Sequence, residues 1–316
     1  MSAKRVLVTG GAGFIGSHVC EAYLSEGWTV TAVDDLSSGR RENLPDGVEF
    51  VELDIRSDRL GELFREGRFD VVNHHAAQID VRLSVNDPRH DASINIDGFL
   101  NLIQNAHATE VARFVYVSSG GVVYGEPEDL PVPEQAPKLP LSPYGVSKLV
   151  GEHYLFYYRK IHGQPYVALR YSNVYGPRQD PHGEAGVVAI FSQRLRDGEG
   201  ITIYGAGEQT RDYVFVKDVA RANMLVSTLD LPDPSGLDDV AFNVGTAKQT
   251  SVNELARAMM DVSGREVPVE HAPARPGELQ HSALDVTRLR SAGWEQQADL
   301  GQGLAETYES IAGVPD

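Results

Sequence analysis

One cysteine, Cys20, stands among 316 residues, so an internal disulfide is impossible and a cysteine-built metal centre has no ligand set to draw on. Cationic side chains are scarce too. Against 45 Asp and Glu there are 28 Lys and Arg, a formal net charge of −17, which argues against nucleic acid or an anionic membrane as partner, since both need clustered Lys and Arg. No uncharged run is long enough to span a bilayer. Met1 to Arg5 lead directly into the apolar Val6 to Val8 with no h-region and no cleavage site, so no secretory signal is expected and a cytoplasmic location is. The paired His74 and His75, and His182, lack spaced acidic or cysteine partners. They read as structural or pocket-lining residues, and no metal is expected. Internal repeats and low-complexity tracts are lacking as well.

What is present suffices for a sizeable core: 41% of the residues are hydrophobic, in a chain long enough for two modest lobes. Val6–Thr9, Thr29–Val33, Val48–Leu53, Phe69–Asn73, Phe114–Ser118 and Tyr166–Arg170 read as strands, several of them continuous apolar runs of the kind buried in parallel sheets. Phe14–Ser25, Asp58–Glu66, Ala92–Ala108 and Pro143–His162 carry helical spacing between them. The alternation predicts an α/β fold, a Rossmann doubly wound parallel sheet, with a smaller C-terminal α/β substrate-binding lobe. The Gly/Pro-rich connections after Arg170 place the boundary, giving a first lobe of residues 1–172 and a second of 173–316. Later helix candidates lie at Asp218–Thr228, Val252–Val262 and Leu300–Ile311, and a segment near 216–245 is expected to return to the first lobe.

Gly10-Gly11-Ala12-Gly13-Phe14-Ile15-Gly16 follows the first strand and opens the first helix. In that context a GxGxxG pattern reads as a dinucleotide phosphate loop: the first glycine allows the tight turn, the second the approach of backbone to a pyrophosphate, the third close helix–strand packing. The helix N-terminus then faces the anion with free N–H groups. Asp34 closes the second strand about twenty residues on, where a carboxylate accepts from adenosine ribose hydroxyls and repels a 2′-phosphate. NAD is therefore expected over NADP, although Arg40 and Arg41 lie nearby. Asp54, ending the third strand, is a candidate for the adenine edge and equally a helix N-terminal carboxylate.

Tyr144 and Lys148, four apart at the start of a helix signalled by Pro143, share one face. Making a phenol of pKa about 10 act as a base near neutrality takes roughly 4 kcal/mol. An ammonium at ~4 Å supplies about that at an effective dielectric near 20. Alone, such a pair is most often surface packing. Together with the phosphate loop, the Ser118-Ser119 strand end, Asn95 in Ser93-Ile94-Asn95-Ile96-Asp97-Gly98, and Arg170 to Arg178, it resembles the extended short-chain dehydrogenase/reductase family nearly end to end, and within it the NAD-dependent epimerase/dehydratase group that includes UDP-glucose 4-epimerases.

The resemblance implies NAD as cofactor, with Ile55, Asn95 and Tyr171 beside the loop residues, Tyr144 and Lys148 in contact with it. It implies a UDP-sugar substrate and a homodimer built on the helix pair Ala92–Ala108 and Pro143–His162. The family's Ser/Thr next to the sugar hydroxyl falls here on Gly120, a departure, so Ser119 is expected to serve and Ser118 to be the fallback. Related dehydratases and decarboxylases carry an acid two residues before Tyr124; here Val122 stands there, and epimerisation is what remains. Arg211 and Arg275 correspond to the diphosphate-binding arginines, Asn173 to a nucleotide contact and Glu278 to the ribose carboxylate. Ser282 replaces a bulky Tyr found in some members, which predicts activity on UDP-GlcNAc as well as UDP-glucose. The expected reaction is NAD-dependent 4-epimerisation through a transient 4-keto sugar. A nucleotide-sugar dehydrogenase or reductase, or a UDP-glucuronate 4-epimerase, would carry the same Tyr/Lys chemistry.

Overall fold

In a computed structural model, residues 3–181, 186–274 and 279–313 are described. The first half alternates strand and helix: β1 (Arg5–Thr9), α1 (Phe14–Ser25), β2 (Thr29–Asp34), β3 (Glu49–Glu52), α2 (Leu60–Gly67), β4 (Val71–His74), α3 (Val81–Asn86), α4 (Pro88–Ala92), α5 (Phe99–Ala108), β5 (Arg113–Ser119), α6 (Gly120–Val123), α7 (Pro143–His162) and β6 (Tyr166–Tyr171). The second half follows with β7 (Asn173–Tyr175), α8 (Val187–Asp197), β8 (Ile201–Tyr204), β9 (Thr210–Arg211), β10 (Tyr213–Phe215), α9 (Val216–Thr228), β11 (Ala241–Val244), β12 (Thr250–Ser251), α10 (Val252–Ser263), β13 (Val269–Ala272), α11 (Thr287–Ser291) and α12 (Leu300–Ala312).

Seven strands form one parallel sheet in the order β11-β6-β5-β4-β1-β2-β3. Helices cover both faces of the sheet, and the inner strands β4 and β6 are buried along their whole length. One core lies under α1 and α9 (Val19, Val30, Val115, Val219, Phe242), the other under α2, α5 and α7 (Leu60, Phe64, Phe99, Phe114, Leu155). A third core, of Phe191, Leu195, Ile201, Leu255, Met259 and Leu304, belongs to the second lobe. From β1 the chain winds outward through β2 and β3, and from β4 outward through β5 and β6. The reversal leaves a crevice at the carboxyl ends of β1 and β4, the place where doubly wound sheets take ligands.

One helix differs from the sequence reading. The helix expected over Ala92–Ala108 begins at Pro88, capped by Asp87, whose Oδ1 accepts from His90 N at 3.0 Å. It then widens into a π-helical segment, Ser93–Gly98, before α5. The widened turn carries Asn95, whose amide pairs with the backbone of Gln78 in both directions. The chain also crosses back late: β11 adds to the sheet beside β6, and α9 packs on α1. Among the described residues no helix is long and apolar enough to cross a membrane.

Candidate active site

The crevice is floored by glycine. Gly10 has φ +65°, and a Cβ there would stand 2.6 Å from Ala76 N; a Cβ on Gly16 would stand 2.1 Å from Gly10 O. Neither position admits a side chain, so the loop lies flat against β4's end and α1 packs directly on it. Gly13 caps α1 without a side-chain bond, and no acidic residue occupies the first turn. The N-terminal amides around Phe14, Ile15 and Gly16 are left to an anion.

Asp34 ends β2 beside this loop. Its Oδ2 accepts from Ala12 N at 3.0 Å and its Oδ1 from Leu36 N at 2.9 Å. Burial pushes its carboxyl above the ordinary range, while these amides pull the other way. Each oxygen keeps further lone-pair capacity for a hydroxyl donor. Asp54, in contrast, is half-exposed and held by Arg56, with Nε 3.0 Å from both carboxylate oxygens. That guanidinium pulls its pKa down. Ile55 is buried against Gly98.

Along β5, successive side chains face opposite ways. Ser118 points at α7, where its hydroxyl donates to Glu152 Oε1 at 2.6 Å. That carboxylate is in turn gripped by Arg170, with Nη2 to Oε2 at 2.6 Å, and neither ionic group reaches solvent. Arg170 also donates to Tyr124 OH and Glu134 O. Ser118 is thus committed to the core. Ser119 caps α6 without using its side chain, and among the described residues its hydroxyl has no internal hydrogen bond. Gly120 has no space to spare: a Cβ would stand 2.5 Å from Leu284 Cδ1.

α7 carries Tyr144 and Lys148. Ser142 accepts from Gly145 N at 3.1 Å, Pro143 sets the first turn, and Tyr144 N donates to Ser84 Oγ at 3.2 Å. Lys148 is buried. Its ammonium donates to Val117 O at 3.1 Å and lies 5.9 Å from the centre of the Tyr144 ring. Burial pulls its pKa down to about 8, so it remains charged at neutral pH. Val122 packs its carbonyl against α7 at Gly145.

Asn95 and Tyr171, read from the sequence as cofactor contacts, and His74, read as structural or pocket-lining, make bonds within the protein. Asn95 spends its amide on Gln78 and Asp91. Tyr171 turns its hydroxyl inward to Asn223 at 2.6 Å, leaving its ring beside His75. His74 bonds Thr9 and packs on Phe99. On the second lobe, Asn173 is exposed on β7, Arg211 donates to Thr210 O and Gln280 O, and Ser282 is buried. Arg275, Glu278 and His182 lie outside the described residues. Sequence reasoning overlooked Glu152, though it stands at i+8 from Tyr144 and i+4 from Lys148, on the helix's buried face; that placement of a charge was the available signal.

The model of the NAD dependent epimerase/dehydratase family matches residues 6–245. A UDP-glucose 4-epimerase of Mycolicibacterium smegmatis is 45% identical over 96% of this chain and 97% of its own. The crystal structure of a Thermus thermophilus UDP-glucose 4-epimerase in complex with NAD superposes with a TM-score of 0.92 at 42% identity, covering 98% of this chain and all of that one. A UDP-N-acetylglucosamine 4-epimerase of Methanobrevibacter ruminantium, in complex with UDP-N-acetylmuramic acid, also gives 0.92, at 34% identity and 99% coverage of both.

Proposed function

The chain belongs to the NAD dependent epimerase/dehydratase family, and from that premise we propose that it is an isomerase inverting C4 of a UDP-hexose, UDP-glucose and UDP-galactose first. The observation carrying this reading is a charged, buried Lys148 beside Tyr144 at the carboxyl edge of the sheet that also holds the glycine loop, with Val122 where a further acid would stand.

The loop fits NAD on structural grounds: its glycines exclude side chains, α1 offers uncapped amides, and Asp34, bonded to the Ala12 amide, keeps acceptor capacity for ribose hydroxyls. Bound there, NAD supplies reversible hydride acceptance at the sugar's C4. The protein's own residues do the rest. Tyr144 takes the proton of the 4-hydroxyl as the 4-keto sugar forms and returns it when the opposite face is reduced. Lys148 lowers the cost of the phenolate by its charge. Ser119, its hydroxyl uncommitted, orients the sugar oxygen. Arg211 holds the diphosphate while the ketose turns, with Asn173 at the nucleotide; Arg275 and Glu278 complete that grip by family resemblance.

Buried Ser282 leaves room for a C2 N-acetyl group, and the likeness to a UDP-N-acetylglucosamine 4-epimerase favours the wider range. Purified protein incubated separately with UDP-glucose, UDP-GlcNAc and UDP-glucuronate, with products resolved by chromatography, tests both parts. We expect epimers of the first two without added cofactor; net NADH accumulation would replace the epimerase with a dehydrogenase. Ser119→Ala should lower kcat about tenfold or more by removing one hydrogen bond to the reacting oxygen, with an unchanged urea midpoint. Ser118→Ala should lower the urea midpoint by leaving Glu152 short of a donor. The reverse pattern would exchange their roles.

We propose a homodimer through α7, a reading supported by Val146, Tyr154, Tyr157 and Ile161, which form one exposed apolar stripe beside exposed Leu83 and Val85 of α3 and Leu141. α5 spends Phe99, Leu102 and Ile103 on its own core. Sedimentation should give twice the chain mass, and Tyr157→Glu should halve it. A cytoplasmic setting is part of the same proposal.

A further inference from the structure

The residues assigned to holding the UDP-sugar come from three separate stretches of chain: Asn173 from β7, Arg211 from β9 and Ser282 from the segment before α11. None of these is long, and β9 is two residues. Two-residue strands have little order of their own, so something else must fix the three relative to one another and to the sheet that carries Tyr144.

Asp212 lies where they meet. It is fully buried, and its two carboxylate oxygens accept four donors. Oδ1 takes Thr246 N at 2.8 Å and Thr246 Oγ1 at 2.6 Å. Oδ2 takes Ala247 N at 3.1 Å and Leu284 N at 3.2 Å. Its carbonyl accepts from Asn173 N at 3.0 Å. One residue thereby joins the turn leaving β11 of the central sheet, the start of β7, and the stretch holding Ser282, and it is bonded in sequence to Arg211. Gly245 makes the approach possible: a Cβ there would stand 2.5 Å from Asp212 Oδ2. The four donors are neutral and no cation pairs with this carboxylate among the described residues. Burial raises its pKa, the donors oppose that, and the arrangement is one of hydrogen bonds, not an ion pair.

We propose that Asp212 is a positioning residue for UDP-sugar binding: its carboxylate and carbonyl set Asn173, Arg211 and Ser282 in one arrangement against the sheet that carries the reacting groups. It touches neither substrate nor cofactor. Because it acts on the part of the substrate that does not react, loosening it removes binding felt equally in ground and transition states, which appears in KM and not in kcat. The inference rests on the nucleotide-sugar reading of Arg211.

Asp212→Asn keeps the shape but turns an NH2 toward donors that need an acceptor. Thr246→Val removes one donor and keeps the backbone bond, and Thr246→Ser restores the hydroxyl. With UDP-glucose as probe, Asp212→Asn should raise KM about tenfold or more with kcat within about threefold, and with bound NAD per chain unchanged. Thr246→Val should raise KM about threefold, and Thr246→Ser should return it to the parent value. If Asp212→Asn does not fold, the two Thr246 variants decide alone. Unchanged KM in Thr246→Val, or a fall in kcat and NAD content with KM steady, overturns the positioning role. A parent protein that turns over no UDP-sugar overturns the functional reading itself, which separates the two failures.

Discussion

Tyr144→Phe should lose about 10³-fold in kcat while holding its NAD and its fold. General acid–base groups in position contribute roughly 10²–10⁴-fold, and in the proposed mechanism the oxygen removed is the one that carries the sugar's proton both ways. Its activation comes from Lys148, whose ammonium is buried and therefore acts through a low effective dielectric. Burial brings that lysine's pKa down to about 8, so the positive charge beside the phenol is lost as pH rises through that value. The fold should not suffer, because the helix cap is made by Ser142 and Pro143, not by the phenol. Steady-state rates with UDP-glucose, alongside NAD released on denaturation and a urea titration, separate the effects. Full turnover by the phenylalanine variant would remove Tyr144 from the mechanism.

Glu152→Leu should be the most damaging single change to stability. Arg170 has 0% exposure and takes most of its compensation from this carboxylate, through Nε at 3.0 Å and Nη2 at 2.6 Å. Against the cost of burial, Glu152 holds the guanidinium pKa above its usual value. Removing one partner of a buried pair leaves an uncompensated charge, at about 3–5 kcal/mol. Asp238 remains as a second acceptor at 2.9 Å, but it is partly exposed. The paired replacement Glu152→Leu with Arg170→Met should recover most of the loss, since apolar groups of similar volume often match a buried ion pair. Urea midpoints of the two variants and the parent measure this. A single variant as stable as the parent would show that the ion pair contributes nothing net.

That cluster also bears on catalysis. It ties β5, β6 and α7 together beside Tyr144 and Lys148, and through Ser118 it decides which of two adjacent serines stays available. Ser118 and Ser119 are equivalent in composition and neighbours in sequence; only the side of the sheet on which α7 lies makes one structural and the other free.

What the sequence determined by itself was whatever short-range geometry enforces. The βαβ alternation follows from apolar periodicity, α1 and α7 run between the residues their spacing indicates, and the phosphate loop and the Tyr144–Lys148 face are set within seven and five residues. Local sterics and helical pitch suffice there. The tertiary structure alone decided the long-range pairings: that Asn95 and Tyr171 spend their polar atoms on Gln78 and Asn223, that Glu152 meets Arg170, and that Asp212 gathers Thr246, Ala247 and Leu284 from 34, 35 and 72 residues away. A buried polar atom must find a partner, but which partner depends on how helices and strands stack, and no periodicity in the chain records that.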